Sequence, residues 1–179
     1  MTRARIAAFG YIYVVLGVLG LGLLDTGEED GRRAGAALFS LAASAFLWFV
    51  VSLRSRLMRY DPDGFFATVV VLGGAMFLAV QVVAVALLAR TGPDDLFSFL
   101  SALAAPAAAT VVIASSLGAL RARKISKNFG RAGVAGGVAI LGVGFAEAAA
   151  GWTLTDTYSA TWLGFFIWVI VATTTLLRS

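Results

Sequence analysis

FFATVVVLGGAMFLAVQVVAVALLA, residues 65–89, contains no charged side chain. As an α-helix it would run about 37 Å, longer than the roughly 30 Å hydrocarbon core of a bilayer. Its Val-rich start, Val69–Leu72, would suit a strand in water. In hydrocarbon, however, an open sheet edge leaves backbone N–H and C=O groups without partners. The stretch therefore reads as a transmembrane helix, and Gln81 is the polar side chain just past its middle.

Five other segments have comparable length and apolarity: 6–24, 34–53, 96–120, 132–151 and 158–177. The connections between them are short and rich in turn formers, as in DTGEEDG (25–31), YDPDG (60–64) and RTGPDD (90–95). The expected fold is all-α: a polytopic transmembrane helical bundle of six spans, forming one domain over residues 1–179. The first segment follows a basic MTRAR, as a signal peptide would. Its apolar run is longer than a typical signal core and no clear A-x-A site follows, so a retained helix is expected.

Composition agrees. Of 179 residues, 60% are hydrophobic and 13% charged, with a mean hydropathy of +0.90; soluble domains carry about 25% charge. Cysteine and histidine are both absent. That excludes disulfides, thiol nucleophiles, thiolate or imidazole metal ligation and the usual general base. The two lysines, Lys124 and Lys127, fall in one polar stretch, so no buried amine is offered for a Schiff base. No cofactor and no metal site are expected.

The formal charge of +4 is distributed by side. Arg3, Arg5, Arg54, Arg56, Arg59, Arg121, Arg123, Lys124, Lys127, Arg131 and Arg178 fall on one side of six spans. Arg32, Arg33 and Arg90 fall on the other. Most of the acids segregate oppositely: Asp25, Glu28, Glu29, Asp30, Asp94, Asp95 and Asp156 lie away from the basic side. The positive-inside rule then places both termini in the cytoplasm. The same distribution argues against nucleic acid as a partner. The cluster RARKISKNFGR, with Arg121, Arg123, Lys124, Lys127 and Arg131, either fixes topology or binds anionic lipid headgroups. Trp152, Tyr158 and Trp162 are expected at the outer membrane interface, and Trp48 and Tyr60 at the inner one.

Helix association in lipid relies on close contact between small residues. In the fifth segment Gly130, Gly137, Gly144 and Gly151 recur every seven residues, and Gly133 with Gly137 forms a G-x-x-x-G. These glycines make one stripe against which a neighbouring backbone should lie. Gly10, Gly17 and Gly20 form a shorter version in the first segment, with Tyr13 on the same face. The fourth segment, rich in Ala and Ser, suits the bundle interior. Its Pro106 should kink it and leave the carbonyl of Ala102 without a partner.

The stretch LRARKISKNFGRAGVAGGVAILG (120–142), followed by GFFIWVIVATTTLLRS (164–179), resembles a broad group of small, uncharacterised bacterial membrane proteins with about six helices. In that group a basic loop leads into a Gly-rich fifth helix and a closing hydrophobic helix. The resemblance implies the fold and a bacterial cytoplasmic membrane; it implies no activity or site. LRSR at 53–56 also echoes LRAR at 120–123, either as a repeated helical hairpin or as two basic loops of biased composition.

Glu147, in GVGFAEAAAGW (142–152), is the one acid within an apolar run. It falls in the outer part of its helix and shares the glycine face, so it should meet protein. Gln81, Ser101, Tyr158 and Thr161 are its candidate partners. Three functions follow. One is a non-enzymatic membrane protein acting through helix–helix association, with a membrane protein partner or with itself. A second is a small transporter or channel with a polar path involving Glu147, Gln81 and the Pro106 kink. The least supported is an intramembrane enzyme on lipid substrates.

Overall fold

A computed structural model describes residues 3–26, 28–61, 63–91, 99–100, 102–121, 127–150 and 160–178. Six helices account for nearly all of them: α1 (Arg3–Leu24), α2 (Glu29–Leu57), α3 (Phe65–Thr91), α4 (Ala105–Arg121), α5 (Lys127–Ala150) and α6 (Ala160–Arg178). Three of them, α2, α3 and α5, contain stretches long and apolar enough to cross a membrane. The apolar parts of α1, α4 and α6 are shorter.

The helices pack in chain order. Each lies against its predecessor, α6 returns to α1, and α4 reaches across to α2 and α6. At the centre is an aromatic core. Phe165 of α6 sits 4.6 Å from Phe77 of α3, 5.7 Å from Phe46 of α2 and 5.8 Å from Trp168, measured between ring centroids. Tyr13 of α1 closes the cluster against Phe46 and Phe166. On α6 the buried residues Trp162, Phe165, Phe166, Val169, Ala172 and Thr173 follow the three-and-four spacing of one helical face.

Backbones approach closely where glycines allow it. A Cβ on Gly20 of α1 would lie 3.0 Å from the carbonyl oxygen of Gly35 in α2, and one on Gly35 would lie 2.6 Å from the carbonyl oxygen of Gly20. No other residue fits both sides of that crossing. Tyr13 is fully buried, and Gly10 and Gly17 face Thr173 and Phe166 of α6.

Several boundaries differ from the sequence reading. Helix α2 extends beyond 34–53 in both directions because its charged ends are compatible with helix. Glu29 and Asp30 occupy its first turn, Arg54 and Arg56 its last, and Arg33 pairs with Glu29 one turn back. Helix α5 likewise starts at Lys127, so Lys127 and Arg131 are helical and not in a loop.

The fourth segment is not one kinked helix from 96 to 120. Residues 99–100 and 102–103 are helical, Ala104 lies in a turn, and α4 begins at Ala105. Pro106 therefore occupies the first turn, where a missing N–H costs little. Hydrogen bonds from Ala104 N–H to the Leu100 carbonyl and from Ala108 N–H to the Ala104 carbonyl carry the backbone through the break.

The α2–α3 connection is tied by Asp61. Its Oδ2 accepts the N–H of Phe66 at 2.7 Å, capping α3, and its backbone carbonyl accepts the N–H of Gly64 at 2.9 Å. Gly64 has a φ of 64°, in the left-handed region that favours glycine.

Candidate functional site

The glycine stripe of α5 lies against α4. A Cβ on Gly137 would fall 2.5 Å from Ile113 Cγ1 and 3.3 Å from the Ala109 carbonyl oxygen. At Gly130 it would meet Leu120 and the Ser116 carbonyl, at Gly133 the Ser116 hydroxyl, and at Gly144 Ala105 Cβ. The opposing surface of α4 is mostly alanine and serine, so two slender helices meet almost backbone to backbone. Gly151 lies outside the described residues.

Glu147 follows Gly144 by three residues and is turned toward α6. Ile140, two turns earlier on α5, points the same way and packs against Gly164. The Thr161 hydroxyl donates to Glu147 Oε2 at 2.9 Å, and Glu147 is only 8% exposed. Of its candidate partners, Ser101 and Tyr158 lie outside the described residues, and Gln81 lies on α3. Thr161→Val is expected to lower stability by about 1 kcal/mol, the net value of a hydrogen bond, while Thr161→Ser stays near wild type. Unfolding midpoints in mixed detergent micelles would check both.

Gln81 is buried on α3, and its Oε1 accepts no hydrogen bond among the described residues. Helices α3 and α5 pack on different sides of α4, through Gly73 against Ala107 and Val111 and through Gly137 against Ala109 and Ile113. Pro106 is exposed on the outside of α4. Glu147 bonds Thr161, while Gln81 lies one turn beyond Phe77, whose ring centroid is 5.8 Å from that of Trp162, the residue after Thr161.

The basic cluster also divides. Arg121 lies over the ring of Phe66, with its guanidinium carbon 4.8 Å from the centroid. This fixes it toward α3 by a cation–π contact. Lys127 and Arg131 are exposed on α5. Arg123 and Lys124 lie outside the described residues.

Trp162 is not an interface anchor. It is 2% exposed and packs edge-on against Phe39 and Phe77 in the core. Trp152 and Tyr158 lie outside the described residues. Trp48 is exposed and stacks on Phe9 partway along α2, and Tyr60 is half-buried just beyond the end of α2.

Two features were absent from the sequence reading. One is Asp61, which the YDPDG motif marked only as a turn. The other is the outward face of α5, where Ala132, Ala135, Ala139, Gly142, Ala146 and Ala149 are all exposed. From Ala135 onward they alternate steps of four and three residues, opposite in phase to the glycines. That spacing was the available signal. Large side chains are exposed beside it, Val138 and Phe145 on α5, and on other helices: Ile12, Val15 and Leu19 on α1, Leu72 and Met76 on α3 among the smaller Ala75, Ala79 and Ala86, and Leu163 and Ile167 on α6.

No known protein family, no curated protein and no solved structure matches the chain. The family resemblance therefore extends no further than a six-helix, all-α architecture with apolar helices.

Proposed function

We propose that the protein is a six-span bacterial inner-membrane protein, with both termini in the cytoplasm, that acts through helix–helix association and not by catalysis. The observation that carries this reading is the outward face of α5. In lipid, large side chains on an outer surface cost nothing, whereas a run of small ones has little to gain from acyl chains. Small residues recurring every three or four positions permit a second helix to approach closely, as the glycines on the other side of α5 do for α4. The occupant is a helix of another membrane protein or of a second copy.

Exposed charge supports the orientation. Arg54, Arg59, Arg121, Lys127 and Arg131 outweigh Asp63 at one end of the helices; Asp25, Glu28, Glu29 and Asp30 outweigh Arg33 and Arg90 at the other. The transporter reading has no comparable observation in its favour.

Ala139→Leu with Ala146→Leu is expected to leave the fold intact, since both positions are exposed, and to abolish association. Native mass spectrometry after gentle extraction reads this directly. A wild-type protein that is monomeric and brings down no stoichiometric partner would sink the proposal. Orientation has a separate check: a cysteine replacing Ser126 should resist impermeant reagents added outside intact cells.

A further inference from the structure

We infer that the first turn of α5 binds the headgroup of an anionic phospholipid through Lys127, Asn128 and Arg131. Lys127 and Arg131 lie one helical turn apart with Asn128 beside them, and all three side chains are exposed. No carboxylate among the described residues pairs with either cation. Their situation differs from that of Arg33, which is paired with Glu29, and of Arg121, which is held over Phe66. Two unpaired cations and an amide within one turn offer several N–H donors to a phosphate, and donors bearing charge make the stronger hydrogen bonds to it.

The adjoining surface suits the rest of such a lipid. Val138 and Phe145, seven and fourteen residues beyond Arg131, are exposed on the same ridge of α5, beside the small-residue face. An acyl chain can lie against them while the phosphate stays at the level of Arg131. The described part of α5 carries no exposed cation at its far end, around Ala146 and Ala149, which places the lipid in the inner leaflet. Charge decides against a bare second copy as the occupant of this turn. A copy in the same orientation would set its own Lys127 and Arg131 against the first pair, and an anionic headgroup removes that repulsion. The inference rests on the membrane-spanning orientation proposed above and does not require association.

The test uses the full chain in nanodiscs of phosphatidylglycerol or phosphatidylcholine, with retained lipid counted by native mass spectrometry. Wild type should keep phosphatidylglycerol in preference to phosphatidylcholine. Lys127→Gln and Arg131→Gln should each weaken retention about 5-fold, and the double variant about 30-fold. Arg54→Gln with Arg59→Gln removes two exposed cations from the same end and should change nothing. Equal retention of the two lipids, or an equal loss on removing Arg54 and Arg59, would overturn the site. If wild type keeps the lipid but stays monomeric with no partner, association fails and the lipid site stands.

Discussion

Phe165→Ala should lower the stability of the bundle by about 2–3 kcal/mol, read as a shift of the unfolding midpoint in mixed micelles. Phe165 is fully buried and touches rings from α1, α2 and α3 as well as Trp168 on its own helix. In a soluble core the same deletion costs roughly 3–5 kcal/mol, part of it from returning apolar surface to water. On the membrane-spanning reading both folded and unfolded helices sit in lipid, so that part is small. The lost van der Waals contacts and the cavity remain, because Phe46, Phe77 and Tyr13 are anchored on separate helices and cannot all move inward. Phe165→Leu should recover more than half of the loss. An alanine variant indistinguishable from wild type would mean that the aromatic centre does not hold the helices together.

The second large effect comes from two adjacent glycines. Gly137→Leu should destabilise the protein by about 2–3 kcal/mol, whereas Gly136→Leu should be neutral or slightly stabilising. A side chain at Gly137 meets Ile113 and the backbone of α4, and backbone cannot step aside as a flexible side chain would. At Gly136 nothing lies within 4 Å of an added Cβ, so leucine gains its better helix propensity at no steric cost. Gly142 is equally open, but it lies on the outward face of α5. Gly142→Leu should therefore keep the midpoint of wild type and lose association, separating the two faces of one helix. Equal effects at positions 136 and 137 would contradict the packing of α5 on α4.

The helices were legible because hydrocarbon thickness sets a length that few other constraints imitate. Residues 65–89 identify α3 without reference to any neighbour. The same criterion shortened α2, since it ends a span at the first charges, while Glu29, Arg33, Arg54 and Arg56 are good helix formers at suitable ends. It also ran through Pro106, because apolarity does not record where a helix restarts. The glycine stripe disclosed close approach on one face of α5. It could not name the neighbour, because slenderness is a property of one surface and the partner is a property of topology.

Trp162 failed for a related reason. An aromatic near the expected end of a span serves as well for an interface anchor as for a core residue. The spacing of Trp162, Phe165, Phe166 and Val169 held the answer, and it places Trp162 on the buried face of α6. Glu147 was legible as an acid facing protein, from its register with Gly144. Its contact with Thr161 depended on α6 lying beside α5, which no local pattern carries. The grouping of Glu147 with Gln81 and Pro106 rested on polarity and depth, and neither says which helices are neighbours.

The order of packing has a consequence for synthesis. Helices α1 to α5 can each dock on the one before as they leave the ribosome, but the aromatic centre stays unfinished through all of these steps. Tyr13, Phe39, Phe46, Phe49 and Phe77 wait for the ridge of Trp162, Phe165, Phe166 and Trp168, which α6 brings after them. Until then the nascent bundle is a five-helix arc with an open seam between α1 and α5, and α6 is the keystone. On the membrane-spanning reading, a ribosome stalled before residue 160 would leave that seam facing lipid, with the rings of α1, α2 and α3 uncovered together.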